Sequence, residues 1–155
     1  MAMRQVRVGL IGYGEVGSTL GAGLRARGLA EVASYDTGAF DGPYAALIQE
    51  RAASAGVTLV RSPAELAERA DIVIGVTPGS ASIESAAGFA AVLRPRHVFI
   101  DIASATPKVK QAMAAELAGT GSQVADGSIV GTPRDGLGLP ILASGPAAER
   151  VSEAL

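Results

Sequence analysis

The stretch that most constrains this chain is Val6-Arg-Val-Gly-Leu-Ile-Gly12-Tyr-Gly14-Glu-Val-Gly17. The apolar run Val6 to Ile11 reads as a buried parallel strand. It breaks at Gly12 and restarts at Gly14 as a helix. Gly-x-Gly-x-x-Gly carries meaning only between a strand and a helix, and it has that context here. Gly12 allows a tight turn out of the strand. Gly14, lacking a Cβ, leaves room for a diphosphate against the backbone, and Gly17 lets the helix pack close to the strand, with Gly21 and Gly23 extending that surface. The free N–H groups and the positive end of the helix dipole then face an anion. Gly12, Tyr13, Gly14, Glu15, Val16 and Gly17 are therefore the first predicted ligand contacts.

A second apolar run, Val32 to Tyr35, ends at Asp36, nineteen positions after Gly17. The acid that accepts from a ribose 2′-hydroxyl is expected about 20 positions on. Together the two segments predict dinucleotide binding, with Asp36 and Thr37 at the adenosine ribose. A carboxylate accepts from both ribose hydroxyls but repels a 2′-phosphate, and neither Thr37 nor Gly38 is an arginine that could hold one. The expected cofactor is NAD in preference to NADP. The competing reading of Asp36 is a turn aspartate that caps its own loop.

The chain has 155 residues, enough for one domain that buries about 70% of its unfolded surface. A net charge of −2 gives no basic field for nucleic acid or an anionic membrane. Cysteine is absent and His97 is the sole histidine, which excludes disulfides, thiol chemistry and cysteine or histidine-cluster metal sites. No apolar run approaches the ~18 residues of a membrane span, and the first residues lack a signal-peptide core, so a cytoplasmic protein is expected.

Strands are expected at Val6–Ile11, Glu31–Tyr35, Val57–Val60, Asp71–Val76, Val98–Asp101, Gln123–Asp126 and Leu139–Ala143. Helices are expected at 14–27, 45–54, 62–69, 82–93, 106–117 and from Pro146 to the end. Residues 127–138 read mostly as loop. Val16, Leu20 and Leu24 form the predicted buried stripe of the first helix. Ser62-Pro63-Ala-Glu65 and Thr106-Pro107 are N-cap signatures. This alternation predicts an α/β fold of Rossmann type: a doubly wound, mainly parallel sheet in three layers, formed by residues 1–155 as one dinucleotide-binding domain. Ligands bind such sheets at strand carboxyl ends, and Gly12, Asp36, Thr77 and Ser104 all fall there. The last helix runs out without a C-cap, so the chain is expected to be the N-terminal domain of a longer protein.

Several segments, in order along nearly the whole chain, resemble the β-hydroxyacid dehydrogenases, the family of 6-phosphogluconate and 3-hydroxyisobutyrate dehydrogenases. Gly9 to Gly17 is similar to its first motif. Asp71 to Pro78 is similar to its fourth-strand segment, whose exit loop lies along the cofactor. Phe99 to Pro107 is similar to its Asp-x-x-Ser/Thr-x-x-Pro segment near the nicotinamide and substrate. Val124 to Gly131 is similar to its substrate loop, with Ile129-Val-Gly131 in place of Ser-Gly-Gly, and Leu139 to Gly145 to its closing strand. The proteins described as phosphogluconate-dehydrogenase-like, with a distinct helical C-terminal domain, resemble it most.

The resemblance implies hydride transfer between a nicotinamide and a small hydroxy acid, with Val76, Thr77, Pro78 and Ser104 at the cofactor and Ser104 and Gly131 at the substrate. It also implies a homodimer in the full-length protein and a general acid/base lysine on the helical domain, outside this chain. No catalytic residue is assigned here, since Lys108 and Lys110 sit in a different motif. Ser104 could instead cap a turn, and Thr77 and Pro78 could simply end a strand. Asp101 and Asp126 read as structural and His97 as a surface residue. Two other functions compete: a module that senses NAD without chemistry, and an imine reductase.

Overall fold

The computed structural model describes residues 6–131 and 140–154. Its core is a seven-stranded sheet. The strands are β1 (Arg7–Ile11), β2 (Glu31–Tyr35), β3 (Thr58–Val60), β4 (Ile72–Gly75), β5 (Val98–Asp101), β6 (Gln123–Ile129) and β7 (Ile141–Ser144). Their spatial order is β3-β2-β1-β4-β5-β6-β7, parallel except for β7, which runs antiparallel to β6. The chain therefore winds outward from β1 to β3, returns to the other side of β1, and continues through β4. The reversal lies between β1 and β4, where a doubly wound sheet opens a crevice at its carboxyl edge.

The helices are α1 (Glu15–Ala26), α2 (Ala45–Ala55), α3 (Pro63–Arg69), α4 (Ser82–Phe89), α5 (Pro107–Leu117) and α6 (Ala148–Ala154). Successive strand residues point to opposite faces, so the apolar runs feed two cores. Val8, Leu10, Val32, Ile72, Ile74, Val98 and Ile100 pack with Leu24 of α1, Ile48 and Ala52 of α2 and Val151 of α6. Ile11, Ala33, Val73 and Phe99 pack with Leu66 of α3, Ala86 and Phe89 of α4 and Met113 and Leu117 of α5. These are the three layers expected of the alternating pattern.

Both predicted caps form. Ser62 Oγ accepts from the Glu65 N–H at 3.2 Å, and Thr106 Oγ1 from the Val109 N–H at 3.4 Å. Four details differ from the sequence reading. The buried face of α1 is Gly17, Gly21 and Leu24, with Val16 and Leu20 only half-buried, because the helix rests on its glycines. Helix α4 ends at Phe89 rather than 93, and a 3₁₀ turn, Gly79–Ala81, leads into it. Strand β6 continues to Ile129, since β7 pairs with it and supplies ladder partners as far as Ile129↔Ile141. His97 is not a surface residue: it is 1% exposed. Its Nδ1 accepts from the Arg94 N–H at 2.8 Å, which leaves Nε2–H to donate to the Ala67 carbonyl at 2.9 Å. Burial, the largest influence, holds its pKa below the ordinary value.

Candidate functional site

The turn after β1 is built as its glycines require. Gly12 has φ +102°, a conformation that disfavours any side chain, and its N–H donates to the Tyr35 carbonyl at 2.8 Å. A Cβ on Gly17 would fall well under 3.0 Å from the Gly12 carbonyl oxygen, so α1 can start this close to the turn only with glycine there. Gly14 is the opposite case. Its backbone is extended, at φ −75°, and a Cβ would meet nothing within 4 Å. Neither conformation nor packing within the chain demands glycine at 14. The open space lies before a helix whose N-cap makes no side-chain hydrogen bond, so its first amides keep their capacity for an anion.

Asp36 ends β2 beside this turn. One carboxylate oxygen accepts from the Tyr13 N–H at 2.8 Å and the other from the Gly38 N–H at 2.8 Å. The second bond is the capping of its own loop; the first ties β2 to the glycine turn. Each oxygen keeps a further lone pair. Tyr13 contributes no ring to the crevice. The ring is fully buried against the sheet, and desolvation pushes its phenol pKa up.

Gly12, Asp36, Thr37 and Thr77 line one crevice of about 570 Å³ at the carboxyl ends of the central strands. Its other walls include Tyr35, Pro63 and Phe89, and from α4 Glu84, Ser85 and Gly88. The α4 wall escaped the sequence reading, because it is assembled from a helix remote in the chain. Thr77 Oγ1 is buried without a hydrogen-bond partner among the described residues. An orphaned hydroxyl, an open approach at Gly14 and uncapped amides fit a polar, phosphate-bearing ligand. Val76 sits at the start of the same β4 exit loop, its N–H bonded to the Ile11 carbonyl at 3.0 Å. Pro78 follows, exposed. Glu15 and Val16 form the first turn of α1; Glu15 lines a separate groove between α1 and α2, away from the crevice.

The β5 exit loop joins this edge. A Cβ on Gly79 would fall well under 3.0 Å from the Ser104 carbonyl oxygen, so the loops after β4 and β5 pack backbone to backbone. Ser104 itself is exposed. Gly131, also exposed and at φ +118°, lies just past β6, and Leu139 lies outside the described residues.

One cluster escaped the sequence reading. Lys110 is 8% exposed, and its ammonium lies 2.8 Å from Asp101 Oδ2 and 2.8 Å from Asp126 Oδ1. The signal was available: Lys110, Met113 and Leu117 share the buried face of α5, so a lysine stood on an apolar stripe.

A doubly wound sheet with an uncapped helix entered through a glycine turn, and an acid ending the adjacent strand, defines a nucleotide-binding α/β domain. The chain belongs to the family of the NAD binding domain of 6-phosphogluconate dehydrogenase, whose model matches residues 7–153. No curated protein matches it. Among solved structures, a conserved hypothetical protein from Sinorhizobium meliloti 1021 is similar, at 30% identity and TM-score 0.91 over 97% of this chain and 50% of that one. A 3-hydroxyisobutyrate dehydrogenase of Mycobacterium tuberculosis, solved with L-serine, shares the fold at 23% identity and TM-score 0.81, over 95% of this chain and 49% of that one. So does an imine reductase from Myxococcus stipitatus in complex with NAD+, at 22% identity and TM-score 0.80, over 97% and 51%. The chain thus spans about half the length of these structures. Among the described residues no helix is long and apolar enough to cross a membrane.

Proposed function

We propose that this chain is the cofactor-binding half of an NAD-dependent oxidoreductase that acts on a small hydroxy acid. The carrying observation is a crevice lined by Gly12, Asp36 and Thr77, reached from a glycine turn whose Gly14 leaves open space before the first amides of α1. The amides opening α1 hold the diphosphate, Asp36 accepts from the adenosine ribose with its remaining lone pairs, and the Thr77 hydroxyl finds the partner it lacks among the described residues. When bound, the nicotinamide supplies or accepts the hydride. Ser104 and Gly131 border the nicotinamide and substrate end.

The preference for NAD rests on charge. Asp36 and Glu84 line the crevice, and among the described residues none of its lining is lysine or arginine, so a 2′-phosphate meets two carboxylates and no counter-charge there. The half-length match supports a second domain; that this domain is helical, carries the acid/base lysine and belongs to a homodimer is what the family resemblance implies. The imine reductase among the similar structures supports an imine as the alternative substrate.

Calorimetric titration with NAD+ and NADP+ tests the reading directly. NAD+ is expected to bind at one site and more tightly. A well-folded protein that takes up no NAD+, or prefers NADP+, refutes it.

A further inference from the structure

The loop carrying Ser104 has two feet. One is Asp101, the last residue of β5; the other is the first turn of α5, opened by Thr106 and Pro107. Lys110 reaches back across this span. Its Nζ donates to the Asp101 carbonyl at 2.9 Å and the Gly127 carbonyl at 3.3 Å, besides its two carboxylate partners. Asp101 Oδ2 also accepts from Ser82 Oγ, at the start of α4, at 3.2 Å.

The three N–H groups of Lys110 face four acceptors of the protein, so the ammonium is spent inward and has none left for a ligand. A buried ion pair is weak evidence for stability, since apolar residues of similar volume often do as well. What it supplies is direction. These acceptors lie at the carboxyl end of β5 and at the middle of β6 beside it, in register at Asp101↔Asp126. On its other side the loop is pressed against Gly79.

We propose that Lys110 is a positioning residue for Ser104: it pins both feet of the β5 exit loop and holds it at the nicotinamide end of the cofactor. This rests on the dinucleotide reading above. Lys110 acts through the loop and touches no ligand.

The test compares NAD+ with ADP-ribose, which carries the adenosine and diphosphate without the nicotinamide. Lys110→Met alone strands buried Asp101 and can fail to fold, so the main variant is the charge-balanced K110M/D101N. It is expected to melt cooperatively, to bind ADP-ribose within about twofold of wild type, and to lose NAD+ affinity about tenfold. Ser104→Ala should lower NAD+ affinity in the wild-type background and add little in the variant, because the two act as a unit. Asp126→Asn, whose side chain is 50% exposed, removes one anchor without stranding a buried charge and should lower the NAD+ to ADP-ribose ratio by about threefold. An unchanged ratio in folded K110M/D101N or D126N, equal losses for both ligands, or a full additional effect of S104A overturns the proposal while leaving dinucleotide binding intact. A folded wild-type chain that binds neither ligand overturns both.

Discussion

Gly14 and Gly17 stand three residues apart in one motif, yet they should fail in opposite ways when each is changed to alanine. At Gly14 the backbone is extended and a Cβ has no neighbour within 4 Å. Alanine is a poorer N-cap than glycine by about 0.5 kcal/mol, but it narrows the unfolded ensemble and regains about 0.4–1 kcal/mol. The two nearly cancel, so Tm should move by no more than about 2 °C. The methyl group would instead stand where the diphosphate approaches. Each charge-assisted hydrogen bond lost removes about 1.5–3 kcal/mol, so one lost donor weakens NAD+ binding about ten- to a hundredfold. At Gly17 the new Cβ would collide with the Gly12 carbonyl oxygen and lie 3.1 Å from Val76 Cγ2. Gly12 cannot retreat, because its φ of +102° and its bond to Tyr35 hold it. Displacing α1 should cost about 1–3 kcal/mol of stability as well as affinity. Urea denaturation and calorimetry on both variants separate the outcomes. A G14A protein that is as destabilised as G17A, or that binds NAD+ like wild type, refutes the reasoning.

Asp36→Ala removes the acceptor for two backbone N–H groups and should cost about 1–3 kcal/mol in urea denaturation; fluorescence titration should show the NADH-over-NADPH preference falling about tenfold. His97 is held neutral by burial, so the unfolded chain takes up its proton first. Its contribution is fully present above the ordinary value of about 6.5 and is lost as pH falls through that range. Urea midpoints should drop between pH 7 and 5, and less so in His97→Gln. Asp71, whose pKa the hydrogen-bonded Arg7 guanidinium lowers, adds a separate loss only below about pH 4. Ser62→Ala removes the cap of α3 and should cost about 1 kcal/mol by chemical denaturation.

What could be read in advance was local in the chain. The turn at Gly12, the caps at Ser62 and Thr106 and the acid closing β2 are each set by residues within a few positions of one another, and the folded chain places them as expected. The buried face of α1 departs from its apolar stripe because hydrophobicity ranks Val16 and Leu20 above Gly17 and Gly21, whereas a close helix–strand approach selects for the absence of a side chain. Strand β6 runs past its apolar pattern because Gly127 and Ser128, whose own strand preferences are weak, take ladder partners from β7.

The sequence alone determined the alternation of strands and helices, the doubly wound class of the sheet, and the edge where the glycine turn and Asp36 meet. Patterning and backbone chirality leave few other solutions. Only the tertiary structure decided which distant groups complete that edge: the Asp36 latch on Tyr13, the α4 wall of the crevice, the burial of His97 beneath α3, and the Lys110 clamp across β5 and β6. Each of these depends on strand register and helix placement, and a short-range hydrogen bond or ion pair exists only once packing has brought its two ends within about 3 Å.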